Sequence, residues 1–528
     1  MKKDVQFSGD GREKLMEGVN IIGDAVGVTL GAKGRNVIIE RENDYPQITK
    51  DGVTVAKSIE LIDSVMNMGV DIIKEVASKT HDVAGDGTTT ATVLAQAIMN
   101  EGMKHLKDGV NPVGIKRGID KAVAVVVDKI KELARPVNNN DTLKQIASIS
   151  SNGDASIGNV IAKAFEITGN DGIITVEESR THETNITTVE GLQINRGFIS
   201  PFFITDPKKE KCELEKPVII LLDDKISVMK DFLGLLSLAV DQGSRPLLVI
   251  AEDVEGEALA TLVVNKMKGA IKVCCVKSPD FGKARRDTME DIAILTGGTF
   301  ISEVKGMKLA DAGTDVLGQC ERVVVEKEKT TIVGGYGTKI QERCEELKEL
   351  IKNSDNELET EVLKSRLAKF TNGVAVINVG AVTEFEMKEK KDRVDDALRA
   401  TKAATEEGYI AGGGVTYLKC LEAIATIVPV DDEEKVGIEI MEAALQEPFI
   451  QILFNAGIES DDYIIEVRGK DYGFGMNVKT GIFENLLETG VIDPAKVARV
   501  ALENAASIAG LFLTTECVIS IAPRSNVM

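Results

Sequence analysis

Tryptophan is absent from this 528-residue chain, aromatic residues make up 4% of it, and there are three histidines. So little π surface offers few platforms for stacked bases, and a formal charge of -21 opposes the basic surface that displaces phosphate counterions. Broad nucleic-acid binding is therefore excluded. His81, His105 and His182 lie far apart without HExxH or His/Cys clustering, which argues against a zinc site and a Ser-His-Asp hydrolase. Seven scattered cysteines form no disulfide framework, and Cys274-Cys275 has no metal-ligand spacing. They read as reduced core or surface thiols. Apolar runs such as Val218 to Leu222 and Leu247 to Ala251 are far shorter than the roughly 20 residues a bilayer crossing requires. The opening Met1-Lys2-Lys3-Asp4-Val5 carries no apolar signal core and no transit character, so a cytoplasmic location is expected.

What is present is an ordinary globular composition, 43% hydrophobic and 28% charged, at a length that predicts roughly three domains. Helical periodicity runs through Gly18 to Leu30, Asn67 to Lys79, Thr90 to Met103 and Ile115 to Leu133. Arg135-Pro136 and an asparagine run then mark a boundary, and a helical segment follows to Thr168. Beyond Gly191, strand-like Val218 to Leu222, Leu247 to Ile250, Ile271 to Val276 and Arg322 to Val325 alternate with helical stretches, predicting an α/β domain. A charged helical stretch from Arg343 to Phe370 leads to Asn372-Gly373, the strand Val374 to Val379 and a long helix from Glu384 to Gly408. After Ala411-Gly412-Gly413-Gly414 the pattern is helical again. The organisation is nested, with helical segments flanking an α/β insertion.

Asp86-Gly87-Thr88-Thr89-Thr90 places a carboxylate, a glycine and three hydroxyls before a helix start, where unpaired N–H groups and the positive end of the dipole favour anions. The plain alternative is a stabilising N-cap. Thr29-Leu30-Gly31-Ala32-Lys33-Gly34 reads as a backbone anion cradle or as a glycine helix stop, and it lacks the Walker A pattern. Lys50-Asp51-Gly52-Val53-Thr54 reads as a turn carrying a carboxylate, its plain alternative a hairpin. Asp392 and Asp396 share one helix face, either a solvated surface or a carboxylate placed to orient water. Between Glu255 and Met267 one side carries Ala258, Leu262 and Asn265 and another Leu259, Val263 and Met267, so the helix has two apolar faces. Met229, Phe232, Leu233, Leu236 and Val240 form a similar stripe.

Taken in order, the segments Thr29-Leu30-Gly31, Ile48 to Val53, Ala84 to Ile98, Ala251 to Asn265, Glu386 to Lys391 and Gly412-Gly413-Gly414 resemble the group I chaperonins, the GroEL family, and the likeness runs from Lys3 to Thr515. The resemblance implies a multidomain α and α/β fold. A mostly helical equatorial ATPase domain would come from 1–134 and 409–528, a small α/β intermediate hinge domain from 135–190 and 373–408, and an inserted α/β apical domain from 191–372. It further implies that Thr29, Leu30, Gly31, Lys50, Gly87, Thr88, Thr89 and Thr90 surround ATP, with Gly413, Asn477 and Asp493 on the base and ribose side. Asp86 would ligate Mg2+, K+ being a second admissible cation; Asp396 would activate water, and Asp51 would assist at the phosphate end. Phe198, Phe202, Phe203, Leu233, Leu236, Leu259, Val263 and Val264 would contact non-native polypeptide. Hinges are expected near Pro136, Gly191, Gly373 and Gly408.

The implied assembly is a homo-oligomeric ring of about seven subunits working with a GroES-type co-chaperonin. Several residues depart from the family pattern. Ala32 replaces a usual proline, and Phe198 and Phe202 replace frequent tyrosines, giving a less polar binding face. Ile450 stands where an arginine commonly pairs across rings, while its acidic partner Glu459 remains, and the family's C-terminal Gly-Gly-Met repeats are missing. The expected activity is ATP-driven protein folding. The alternatives are a holdase uncoupled from nucleotide and, without a visible acceptor site, a small-molecule kinase.

Overall fold

The apolar spacing that predicts helices in the first 133 residues is realised, and the helices begin earlier than that spacing indicates; polar caps set the starts at Ser64 and Pro112. In this computed structural model, residues 3–521 are described apart from 42–45, 152, 170–172, 180, 190, 208, 242–244, 308–312, 354–356 and 372–373. Strand β1 (Lys3–Phe7) leads into α1 (Ser8–Gly27), the hairpin β2 (Val37–Ile39) and β3 (Gln47–Thr49), α2 (Gly52–Ser58), α3 (Ser64–Ala84), α4 (Thr88–Lys107) and α5 (Pro112–Leu133). The Asp63 carboxylate accepts from the N–H groups of Val65 and Met66 and so starts α3; Asn111 caps α5, with Pro112 in the first turn where its missing N–H costs nothing. α6 (Asn140–Ser150) and α7 (Ala155–Thr168) follow.

The strands β4 (Ile173–Glu178), β5 (Asn185–Val189), β6 (Gly191–Ile194), β7 (Cys212–Glu215), β8 (Val218–Leu222) and β9 (Lys225–Ile226) come next, then α8 (Met229–Asp241), β10 (Leu247–Ala251), β11 (Asp253–Val254), α9 (Gly256–Met267), β12 (Val273–Lys277) and α10 (Gly282–Thr296). β13 (Phe300–Ile301), β14 (Gly318–Val325), β15 (Thr330–Gly335), α11 (Ile340–Asn353), α12 (Glu357–Thr371) and β16 (Val374–Val379) complete this part. The chain closes with α13 (Glu384–Glu407), β17 (Tyr409–Ala411), α14 (Val415–Ile424), α15 (Asp432–Ala444), α16 (Glu447–Ala456), α17 (Asp461–Gly469), β18 (Phe474–Asn477), β19 (Ile482–Asn485), α18 (Leu486–Thr489), β20 (Ile492–Pro494), α19 (Ala495–Leu513) and β21 (Cys517–Ile521).

Two compact units result. The first comprises Met1–Lys163, Arg180–His182 and Val379–Met528, and the second Ala164–Ser179 and Glu183–Asn378. In the first, α1 packs on α3, α15 on α5, and α19 on α4 and α5, so the apolar stripes of helices from both ends of the chain share one core. β1 and β21 pair antiparallel, Lys3 opposite Ile521. β17 pairs with β20, Ile410 opposite Asp493, and Arg135 and Tyr409 exchange two backbone hydrogen bonds of 2.8 and 2.9 Å.

The second unit holds a mixed sheet in the order β12-β10-β8-β14-β15-β6, with β13 on β8 and β7 on β14. β8, β10 and β12 are parallel, Val218 beside Leu247 and Leu247 beside Val273. Every residue of β8 and β10 is buried, which is why these strands read as unbroken apolar runs instead of alternating patterns. A separate sheet runs β4-β16-β5. The expected Arg343 to Phe370 helical stretch is two helices, α11 and α12. All seven cysteines are free, five of them buried. No helix among the described residues is long and apolar enough to cross a membrane. Of the expected hinge residues, Gly373 lies outside the described residues.

Candidate functional site

Asp86 does not cap α4. Its Oδ1 accepts from the Gly87 N–H at 2.6 Å, and Gly87 occupies the N-cap position in the left-handed region (φ 79°) with no side chain capping the helix. The stabilising-cap alternative is thereby overturned: the first N–H groups of α4, on Thr88, Thr89 and Thr90, are left without a capping side chain, and the cap position is a left-handed glycine. Asp51, by contrast, is a cap. Its carboxylate accepts from Val53 N at 3.2 Å and Thr54 N at 2.9 Å to start α2, so Asp51-Gly52 opens a helix and is not a hairpin.

These elements meet. A Cβ built on Gly52 would lie 2.2 Å from Thr89 Oγ1 and 3.1 Å from Thr88 Oγ1, so only glycine leaves room where the starts of α2 and α4 converge. Thr29 Oγ1 donates to Val26 O at 2.8 Å and lies 3.3 Å from Thr89 Oγ1, which brings the loop after α1 to the same place. In that loop Gly31 is left-handed (φ 82°), while α1 itself ends at Gly27, so the Gly31 turn is not the helix stop. Asn455 on α16 fixes the loop by donating to both Gly27 O and Leu30 O at 2.9 Å. Sequence reasoning missed Asn455, which stands in an apolar helix with no local signal. Lys50, half-buried, precedes Asp51.

A second group of predicted residues adjoins the first. Gly413 and Gly414 are left-handed and precede α14, which also has no side-chain cap, and a Cβ on Gly412 would lie 3.0 Å from Asp493 Oδ1. Asn477, at the end of β18, donates to Glu484 Oε1 at 2.8 Å and accepts from Lys479 N at 3.1 Å. A Cβ on Gly87 would touch Val497 Cγ1 at 2.5 Å, so the start of α19, directly after Asp493, lies against the Asp86 loop.

Electrostatics join the carboxylates. Burial and then the charge of Asp51 push the Asp86 carboxyl above its usual range, against hydrogen bonds from Gly87 N and the Ser150 hydroxyl. Asp396, on α13, is pushed well up by burial and by the charges of Asp51, Asp86 and Asp395. Asp493 is pushed up to about 7 by burial and by Asp86. Such mutual repulsion is relieved by a cation. Among the described residues no group of three or more His, Cys, Asp or Glu side chains could hold a metal ion. A cation here would draw on Asp86 together with oxygens from a ligand.

The shift at Asp493 fixes a pH effect. A carboxyl that binds its proton more tightly folded than unfolded costs stability above its folded value, and the cost disappears as pH falls from about 7 toward the unfolded value near 4. Discounted for partial exposure, the penalty is on the order of 2 kcal/mol. Asp493→Asn is expected to raise the ligand-free melting temperature at pH 8 and to flatten its dependence between pH ~4 and ~7. Circular dichroism melts across that range provide the check.

In the second unit, Phe202 (60% exposed) on the 3-10 turn Pro201–Phe203, Leu233 (50%) on α8 and Val264 (46%) on α9 face outward. Phe198, Leu236, Leu259 and Val263 are half-buried against the core. Phe203 departs from expectation: it is fully enclosed (0% exposed) and anchors the turn, so no client can reach it in this arrangement. The two-faced reading of α9 resolves into Ala258 and Leu262 fully buried and Met267 and Val264 exposed. α9 packs beside both α8 and the 3-10 turn, the elements that carry Leu233 and Phe202. A cavity of about 330 Å³ in the same unit is lined by Glu177, Glu215, Lys216, Glu321 and Arg322, and Arg322 pairs with Glu177, Glu213 and Glu215. Those ion pairs make it a structural polar cavity.

Comparison with known proteins places the fold. The chain is similar over 98% of its length to chaperonin gp146 from the bacteriophage EL 2 (Pseudomonas aeruginosa), crystallised in the presence of ATP-BeFx. One crystal form matches at 23% identity with a TM-score of 0.68, covering 98% of that chain, and a second at 21% with 0.63, covering 99%. The profile of the TCP-1/cpn60 chaperonin family matches residues 22–235 and 232–523. With nearly its whole length accounted for, the chain belongs to the TCP-1/cpn60 chaperonin family.

Proposed function

We propose that the protein is an ATP-dependent folding chaperonin of the group I kind, capturing non-native polypeptide on the apolar surface of its second unit and releasing it under control of ATP bound in the first. The observation that carries this reading is the uncapped start of α4, with three hydroxyls and the carboxylates of Asp51, Asp86 and Asp396 around it. Uncapped N–H groups suit phosphate oxygens, and Gly52 and Gly87 let them approach. Thr29, Leu30, Gly31 and Lys50 complete the phosphate side, and Gly413, Asn477 and Asp493 take the base and ribose.

Asp86 fits a magnesium ligand because its carboxylate is destabilised alone and, among the described residues, accepts from Gly87 N and Ser150. Mg2+, when bound, neutralises phosphate charge and orients the terminal phosphoryl group. Asp396 accepts a proton from the attacking water, and Asp51 holds the start of α2 against the phosphate end. Domain limits near 134, 190, 372 and 408 remain part of this proposal, with Gly408 and Arg135 at a two-stranded crossing suited to bending. A ring would let several apolar surfaces grip one client at once, which supplies avidity.

Refolding of a denatured client with ATP, with ADP and without nucleotide, alongside native mass measurement, tests the reading. Recovery confined to ATP, on a ring-sized particle, is expected. Equal recovery in all three arms would favour the holdase and remove the coupled mechanism.

A further inference from the structure

One side chain beside the candidate nucleotide site has no part in the account above. Arg399 stands on α13 three residues after Asp396 and lies across Gly85, the residue before Asp86: a Cβ built there would fall 2.3 Å from Arg399 Cβ and 2.7 Å from its Cδ. The guanidinium Nη1 points to His81 Nε2 at 3.5 Å, on the last turn of α3. Since arginine only donates, His81 accepts through Nε2.

The company this arginine keeps differs from that of Arg393, on the same helix, and of Arg499, which pairs with that helix's Glu407. Arg499 is bracketed by Glu407 and Glu503, and Arg393 by Asp154 and Glu389. Among the described residues Arg399 forms no ion pair, although its charge acts on the Asp396 carboxyl. Its one hydrogen-bond partner is an imidazole held below its ordinary range, first by burial and then by the Arg399 charge itself, and therefore neutral. A neutral acceptor orients a guanidinium without cancelling its charge. A purely structural arginine gains most from a carboxylate, and that of Asp396 stands three residues away on the same helix.

We propose that Arg399 contacts the terminal phosphoryl group of bound nucleotide and stabilises the charge on its oxygens during hydrolysis, held ready by His81. The inference rests on the nucleotide-site reading above. In the step it serves, water oxygen bonds to the terminal phosphorus as the bond to the bridging oxygen breaks. The water proton passes to Asp396, and the leaving electrons stay on ADP. Negative charge accumulates where a planar guanidinium can hold two oxygens. Because α13 carries both Asp396 and Arg399, one helix delivers base and counter-charge together.

Equilibrium titration of ADP, and of ADP with beryllium fluoride as a terminal-phosphate mimic, tests the assignment in the full chain, together with ATP turnover. Arg399→Gln is expected to keep ADP affinity within about twofold, to weaken the fluoride complex by about 10-fold or more, and to lower kcat by about 100-fold. Arg399→Lys should restore part of both losses, since charge without the fork remains. Unchanged fluoride affinity and turnover in Arg399→Gln would overturn the inference while leaving the nucleotide site intact. Equal weakening of ADP and the fluoride complex would also overturn it, by making the residue a general support. If the parent chain binds neither ligand, the underlying site reading fails, and this inference with it.

Discussion

Asp396→Asn is expected to slow ATP hydrolysis by about 100-fold or more while nucleotide affinity changes by no more than a few-fold, because a positioned general base typically contributes ~10²–10⁴ and the binding groups lie elsewhere. Asparagine keeps the shape of the side chain and removes both its basicity and a repelled charge, so the fold should be no less stable. Single-turnover hydrolysis with a parallel binding titration separates the two effects. The parent enzyme carries a further signature. Burial and the charges of Asp51, Asp86 and Asp395 hold the Asp396 carboxyl well up, and a residue in the proposed role of base must be ionised, so the acid limb of kcat should lie above the ordinary carboxylate range near pH 4. Asp395→Asn removes one of those like charges and should move that limb to lower pH. A limb that stays in place would mean that another group controls the profile. Client recovery should follow hydrolysis in the Asp396 variant; recovery that ignores it would point to an uncoupled holdase.

Removal of the exposed apolar side chains should separate capture from ATP turnover in the opposite sense. The combined substitution Phe202→Ser, Leu233→Ser and Val264→Ser is expected to weaken capture of a denatured client by about 100-fold or more, with basal hydrolysis within about twofold. Each side chain, buried against a client, is worth roughly 1–2 kcal/mol, and the sum corresponds to two or more decades in affinity. Exposure at these three positions means that little native packing is lost. Phe203→Ser provides the contrast: it removes a fully enclosed ring and should cost about 3–5 kcal/mol of stability in the second unit. Light scattering of an aggregating client reads capture, and melting curves read stability. Full capture by the triple variant would place the client surface elsewhere.

Much of this architecture could be read from the residues. Val218 to Leu222 and Val374 to Val379 match strands residue for residue, because a strand buried on both faces or in a sheet centre writes a continuous apolar run. Other features depend on partners far away in the chain. β1, mostly exposed, and β21 are short strands that exist through each other, and neither carries a pattern strong enough to announce itself. The Asp86 segment was ambiguous because aspartate and threonine are good caps; only the left-handed Gly87 shows that the cap position is taken by a residue with no side chain. Asp51 went the other way, from suspected turn to helix start. Nothing in the sequence around Arg399 distinguishes it from the other charges of its helix. What sets it apart is Gly85, a residue more than three hundred positions earlier, and no window of sequence contains both. Phe203 shows the same limit: Phe202 and Phe203 look alike after Pro201, and a single turn sends one ring outward and the next into the core.

The pairing of β1 with β21, and the packing of α19 on α4 and α5, have a consequence for how the molecule is made. The stretch Glu183–Asn378 is contiguous and contains every strand of its mixed sheet, so it can close soon after it leaves the ribosome. The first unit cannot. Its opening helices emerge early with their apolar stripes uncovered and must wait for α14, α15 and α19 before their core is complete. During synthesis, then, this chain passes through a long interval in which it is itself an unfinished protein with exposed apolar surface, the very kind of molecule its family handles.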